Sequence, residues 1–286
     1  MIRAGRLQGR TCLIVGGTSG IGLATARRFL EEGAQVLVCG RSWETVAELQ
    51  AEFQPARGWA LPADATNPTQ VDGLFQQALT FFSGRLDILF HVAGISGRRF
   101  GDAALHECTV EGWDTVLEAN ARSMFLTNRA AVGQMLAQPL DDHGLRGTVL
   151  NMGSVLGWSP APDYFGTFAY AASKGAIRAM TLNAAARYAR DRVRFNLIAP
   201  ALIETPMAGR AVGDPAIRAY LAAKQPMAGG PGTPEDCAEA ALYLCEPASR
   251  FLTGVVLNVD GGWCVCEGQV PAASPLTTSL TGVDPS

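Results

Sequence analysis

The chain has no surplus of positive charge. Its 23 lysines and arginines are outnumbered by 26 aspartates and glutamates, giving a formal net charge of −3 and no basic face for nucleic acid. No apolar run reaches the roughly 18 residues of a membrane-crossing helix, and positions 1–10 lack the apolar stretch of a secretion signal. Neither a membrane nor a nucleic acid is therefore expected as a partner. The seven cysteines are odd in number and scattered without paired spacing, which suits a reducing cytoplasm. Cys264-Val265-Cys266 has no second pair to complete a metal site, and the chain holds only three histidines. No linker divides the 286 residues, so one α/β domain is expected over residues 1–267. The stretch 268–286, rich in Pro, Ser and Thr, reads as a mobile or extended tail.

What the chain does have is apolar content, 48%, arranged in short runs that alternate with helical patterns. Strands are expected at 11–15, 35–39, 58–62, 86–92, 146–153, 193–199 and 255–259. Helices are expected at 20–32, 43–53, 68–82, a long one near 111–137, 168–190 and 234–245. Continuous apolar strands such as Val36-Leu37-Val38 belong in a parallel sheet covered on both faces. The fold class is thus α/β, a single doubly wound parallel sheet of about seven strands with helices on both faces.

Thr11 to Val15 runs straight into Gly16-Gly17-Thr18-Ser19-Gly20-Ile21-Gly22, then a helical pattern that stops at Gly33, then a second apolar run. This strand, glycine turn, helix and strand is a dinucleotide-binding unit of the Rossmann kind. Gly16, Gly20 and Gly22 permit a tight turn and close backbone approach, and the helix N-terminus offers N–H groups to a pyrophosphate. The spacing is G-x-x-x-G-x-G. Further on, Tyr170 and Lys174 stand four apart at the start of a helical pattern, on one face, with Ser154 upstream. A phenol titrates near ~10, and a fixed ammonium beside it stabilises the phenolate and brings it towards working pH.

Together these motifs resemble the short-chain dehydrogenase/reductase family, over roughly residues 7–266. Further matches fall in family order: His91-Val92-Ala93-Gly94, Asn120, Asn151 to Ser154, Asn196 to Pro200, Phe251 to Gly254, and Asp260-Gly261-Gly262. Val15 replaces a usual threonine, His91 and Val92 two asparagines, and Ala201 a glycine. Ser154 and Tyr170 are 16 residues apart, a few more than the family pattern, so the loop 158–167 carries an insertion. Tyr164 in that loop rivals Tyr170, but residue 168 is Phe where its lysine should stand.

The resemblance implies hydride transfer between a nicotinamide cofactor and a carbonyl or secondary alcohol carbon. Tyr170 gives or takes the proton and Ser154 hydrogen-bonds the same oxygen. Lys174 lowers the Tyr170 pKa and holds the nicotinamide ribose, and Asn120 anchors a water linking Lys174 to solvent. The plain alternatives are a strand-end cap for Ser154 and a helix-interior residue for Asn120. Cofactor contacts are implied for Gly16, Thr18, Ser19, Gly20, Ile21 and Gly22 in the turn. They are also implied for Ala65, Ala93, Gly94, Pro200, Ile203 and Thr205. Gly40, Arg41 and Ser42 end the second strand where an acid would select the ribose 2′-OH. A guanidinium there suits a 2′-phosphate, so NADP(H) is favoured over NAD, unless Arg41 is only a solvated turn residue. Asp64 either contacts the adenine ring or belongs to the N-cap region of helix 68–82.

The substrate is open at this point. Residues 204–231 suit a lid. Phe100, Trp158, Tyr164, Phe165 and Met207 make either a pocket wall or ordinary packing, and Arg98 and Arg99 follow the Ala93-Gly94 turn. A 3-oxoacyl thioester, a cyclic ketone and a polyol all fit, as carbonyl reductase or as NAD-dependent alcohol dehydrogenase. A non-catalytic redox sensor on the same fold is the rival class, disfavoured by the complete tetrad. The family also implies a homotetramer, paired through helices 111–137 and 168–190 and through the C-terminal strand. The many alanines of 168–190, and Trp263 at a sheet edge, give that assembly independent support.

Overall fold

The structure, a computed structural model, describes residues 5–53 and 57–267. The expected tail at 268–286 lies outside the described residues. Seven parallel strands form one sheet in the order β3-β2-β1-β4-β5-β6-β7. They are β1 (Thr11–Val15), β2 (Gln35–Gly40), β3 (Gly58–Pro62), β4 (Ile88–His91), β5 (Gly147–Met152), β6 (Val193–Pro200) and β7 (Val256–Val259). The order reverses beside β1: Val15 pairs with Cys39 of β2 on one side and His91 of β4 on the other. A cleft opens at such a switch point, outside the carboxyl ends of the strands.

The strands are mostly apolar because both sheet faces are covered; every residue of β1, β4, β5 and β6 is buried, the few polar ones such as His91 and Asn151 included. Helices α1 (Gly20–Glu31), α2 (Trp43–Phe53) and α3 (Pro68–Phe81) fall where the periodicity places them. The Asn67 side chain accepts from the amides of Thr69 and Gln70 and so caps α3. Asp64 therefore is not that cap. Phe29 of α1 and Leu242 of α10 (Pro234–Cys245) meet in one core cluster, while Phe75 of α3 and Met135 sit in the cluster on the opposite face. Each such fully buried side chain stabilises the fold by about 1.5–3 kcal/mol.

Three elements differ from the sequence expectation. The helix expected near 111–137 is α4 (Val110–Leu117), a π-helical turn (Glu118–Arg122) and α5 (Ser123–Ala137). The loop 158–167 contains a short helix, α6 (Pro162–Phe165), ahead of the long α7 (Phe168–Tyr188). The segment 204–231, expected to suit a lid, folds into α8 (Gly209–Gly213) and α9 (Pro215–Lys224), the latter capped by Asp214, which accepts from the Ala216 amide at 2.9 Å. Trp263 is not an edge residue awaiting a second subunit. It is 1% exposed, edge-on to Phe165 and Tyr220, with its indole N–H on the Ser159 carbonyl.

All seven cysteines are free thiols. Among the described residues no helix is long and apolar enough to cross a membrane.

Candidate active site

A cavity of about 620 Å³ runs along the carboxyl ends of the strands. At one end lies the glycine turn. Gly16 takes φ +85°, and a Cβ there would stand 2.6 Å from the Ala93 amide nitrogen. Gly22 does not line the cavity; a Cβ on it would sit 2.2 Å from the Gly16 carbonyl oxygen, so it serves the close seating of α1 on the turn. The turn is tied to β2 by the Gly16 amide on the Cys39 carbonyl, and the Ala93-Gly94 turn to β1 by the Ala93 amide on the Val15 carbonyl. Backbone bonds thus hold both turns.

The residues present fit a nicotinamide dinucleotide. Ser19 makes no side-chain cap and α1 has no acid in its first turn, which leaves amides and the positive end of the helix for a pyrophosphate. Gly16, Thr18, Ser19, Gly20 and Ile21 line this end, joined by Ala93 and Gly94. Pro200, Ile203 and Thr205 line the cavity from the β6 side, Thr205 touching the space above Gly20. Arg41, Ser42, Asp64 and Ala65 line its other side. Gly40 permits no side chain, since a Cβ would meet the Thr18 hydroxyl at 2.3 Å. Arg41 is exposed and has no ion pair among the described residues. Ser42 is less free, because its hydroxyl donates to Glu44 and accepts from the Thr45 amide. The Asp64 carboxylate accepts from the amide and hydroxyl of Thr66, closing a local turn.

Ser154, Tyr170 and Lys174 gather at the other end. Ser154 follows β5, accepts from the Leu156 amide at 3.2 Å and donates to the Pro200 carbonyl at 3.4 Å. It is thus a cap as well as a cavity-lining hydroxyl. Lys174 is 3% exposed, donates to the Met152 carbonyl at 3.0 Å, and lies 5.5 Å from the centre of the Tyr170 ring. Burial pushes the Lys174 ammonium down to about 8. Burial also pushes the Tyr170 phenol up, with the Ser154 hydroxyl acting against it. The expected lowering of Tyr170 by Lys174 is therefore corrected for this structure: the ammonium faces the ring and a carbonyl, and desolvation wins.

The Lys174 value carries a sign. In an unfolded chain lysine titrates near ~10.4, so between there and about 8 the unfolded chain keeps a proton the folded chain has released. Stability then rises with pH across that window. A Lys174→Met variant lacks the rise. Thermal unfolding on either side of the window should show the melting difference moving in favour of the wild type; a constant difference would mean that Lys174 titrates as in solvent.

Asn120, in the π-helical turn, is fully buried and does not line the cavity. Its side chain accepts from the Ile95 amide at 2.8 Å and donates to the Ile95 carbonyl and the Ser173 hydroxyl. It clamps the turn after β4 to α7, and does not bond its own helix backbone. His91, in place of an asparagine, is buried and neutral, pushed down to about 3 by burial and by Lys174. Its ring nitrogens meet the Thr127 and Ser123 hydroxyls at 2.8 and 3.2 Å, joining β4 to α5.

One residue was missed by the sequence reading. Asp102, 2% exposed, accepts from the amides of Ala169 and Tyr170, both at 2.9 Å. Thr167 makes no side-chain cap on α7, and no acid stands in its first turn, so a distant carboxylate supplies that function. The signal available was the uncapped start of this helix. Of the suggested wall residues, Phe165 and Met207 line the cavity and Phe100, Trp158 and Tyr164 do not. Tyr164 stacks on Tyr220 at 4.5 Å, which removes it as a rival to Tyr170.

A sequence family described as enoyl-(acyl carrier protein) reductase matches residues 15–264. The chain is 33% identical to the 2,5-dichloro-2,5-cyclohexadiene-1,4-diol dehydrogenase LinX of Sphingobium indicum, over 92% of this chain and 99% of the relative. It is 33% identical to the 3-oxoacyl-[acyl-carrier-protein] reductase FabG of Thermotoga maritima, over 90% and 98%. The crystal structure of gox2181 superposes with a TM-score of 0.83 at 27% identity, covering 91% of this chain and 97% of that one.

Proposed function

Because the chain belongs to the short-chain dehydrogenase/reductase family and is an oxidoreductase, we propose that it interconverts a ketone and a secondary alcohol with NADP(H). The observation that carries this reading is the meeting of Ser154, Tyr170 and Lys174 in one cavity with the glycine turn. When bound, the dinucleotide supplies the hydride donor or acceptor. The turn from Gly16 to Ile21 and the α1 amides bind its phosphates, and Lys174 holds the nicotinamide ribose. The Ser154 hydroxyl orients the substrate oxygen and the Tyr170 Oη gives it a proton, or takes one in the reverse direction. Lys174 keeps positive charge 5.5 Å from the centre of the Tyr170 ring below about pH 8. Asn120 holds the Ile95 turn and α7 together, so that the helix carrying Tyr170 and Lys174 keeps its place against that turn.

The preference for NADP(H) rests on Arg41, exposed and free of an ion pair among the described residues, after a strand that ends in Gly40 rather than an acid. Turnover of a ketone panel with NADPH and with NADH tests the function and the cofactor together. Arg41→Ala should weaken NADPH binding by about 1.5–3 kcal/mol, the scale of a charged hydrogen bond, and change NADH binding little. Equal losses for both cofactors would remove Arg41 from the 2′-phosphate, and a wild type preferring NADH would overturn the assignment.

A homotetramer is the assembly we read from the surface. Trp113 of α4, Phe125 of α5 and Phe168 of α7 are 41%, 48% and 40% exposed, and β7 is only half-buried at the sheet edge. Symmetric pairing would cover both. Light scattering at micromolar concentration should give four chain masses, and a single chain mass would sink the assembly.

A further inference from the structure

Two arginines in the cavity have no task in the chemistry above. Arg98 stands in the loop after β4, and Arg210 in α8, after β6. In the sheet β4 and β6 flank β5, the strand that leads to Ser154. Both arginines therefore come from the strands on either side of the catalytic serine. Arg41, in contrast, follows β2, on the far side of β1. Both side chains are exposed at the wall of the same cavity, and partial burial and then the like charge of Arg210 pull Arg98 below its ordinary value. Neither has an ion-pair partner among the described residues. Asp102 attracts Arg98, but its two oxygens already accept the Ala169 and Tyr170 amides. Among the described residues its one hydrogen bond is to a neutral group, the Tyr164 carbonyl at 3.0 Å, which ties it to the loop 158–167.

The cavity wall has four cationic side chains, Arg41, Arg98, Lys174 and Arg210, and one carboxylate, Asp64. Asp64 follows β3, at the opposite edge of the sheet from β6, and is taken up by Thr66. Among the described residues no carboxylate forms an ion pair with either arginine of this pair. Like charges held together in a partly enclosed space are stabilised by an anion placed between them, and paired guanidinium groups suit a carboxylate.

We propose that Arg98 and Arg210 form a clamp for a carboxylate on the substrate, so that the natural substrate is a small keto or hydroxy acid whose acid group is remote from the reacting carbon. Phe165 and Met207, which line the same cavity as Ser154 and Tyr170, would meet the apolar part of such a substrate. Arg210 lies on the lid and Arg98 on the body, so an acid bridging them also draws α8 over the reacting carbonyl, excluding water.

This clamp rests on the ketone–alcohol reading, and the test separates the two. The probes are 4-oxocyclohexanecarboxylate and its methyl ester, which share a ring and a ketone and differ in charge. The wild type should prefer the acid by about tenfold or more in kcat/KM, the scale of a charged hydrogen bond, and bind it correspondingly tighter in calorimetry on the cofactor complex. Arg210→Gln, at an exposed position that folding does not need, should lower the acid-over-ester ratio by about tenfold. Arg98→Gln should do the same. Equal handling of acid and ester by the wild type would overturn the clamp. So would a loss of NADPH affinity, measured without substrate, that matches the loss of acid preference, since the guanidinium groups would then serve the cofactor phosphates. If no ketone turns over with either cofactor, the ketone–alcohol reading fails. The clamp is then still decided by calorimetry: tighter binding of the acid than of the ester upholds it, and equal binding overturns it.

Discussion

Tyr170→Phe should cut turnover by about 10²–10⁴-fold, the usual contribution of a positioned proton donor. The ring stays, and with it the contact to the Lys174 ammonium 5.5 Å from its centre. Ser154 retains the Leu156 amide and the Pro200 carbonyl as partners, so losing the phenol oxygen leaves no stranded group there. Folding and cofactor binding should therefore survive, and the loss should appear in kcat rather than in cofactor affinity. Steady-state kinetics beside a NADPH fluorescence titration make the measurement. A variant that keeps near-normal turnover on a good substrate would remove Tyr170 from proton transfer.

Asp102→Ala should cost about 2–6 kcal/mol, because two buried amides lose their acceptor at about 1–3 kcal/mol each. For a chain of this size that lowers the melting temperature by about 2–4 °C per kcal/mol. One of those amides is that of Tyr170 itself, so the first turn of α7 loosens where the phenol must be aimed. Turnover should fall with the stability, and a displaced proton donor loses rate steeply with small shifts. Asp102→Asn keeps one acceptor oxygen and should recover part of both losses. If the alanine variant melts with the wild type, the carboxylate is not what holds the helix start.

Much of this was legible in the sequence for identifiable reasons. The strands announce themselves because a parallel sheet covered on both faces demands unbroken apolar runs, and Cys12-Leu13-Ile14-Val15 has no other use. The glycine turn is legible because sterics leave no substitute: at Gly16 both the dihedral and the neighbouring Ala93 forbid a side chain. Tyr170 and Lys174 are visible because four residues is the repeat of a helix face. What the sequence hid is what depends on partners far along the chain. Asp102 and Tyr170 are 68 residues apart, and no local pattern links them. The π-helical turn at Asn120 has no residue signature, since it arises where that side chain must reach Ile95. The helices of the lid were the nearer miss: Asp214 followed by Pro215 is a helix start, overlooked because small residues and glycines suggested a loop.

The strand order has a consequence for how the chain comes to be folded at all. The partners of β1 are β2, made soon after it, and β4, made much later; Thr11 at the foot of β1 bonds Asp87, 76 residues further along. At the ordinary pace of synthesis, about 5–20 residues per second, the second edge of β1 waits roughly 4–15 s for its neighbour. No other pair of adjacent strands is so far apart in the chain. During that interval a strand apolar from Cys12 to Val15 presents unpaired backbone to whatever is near, the condition under which nascent chains stick to one another. The strand that ends buried on both faces, and that leads directly into the glycine turn, is therefore the one the growing chain leaves open longest.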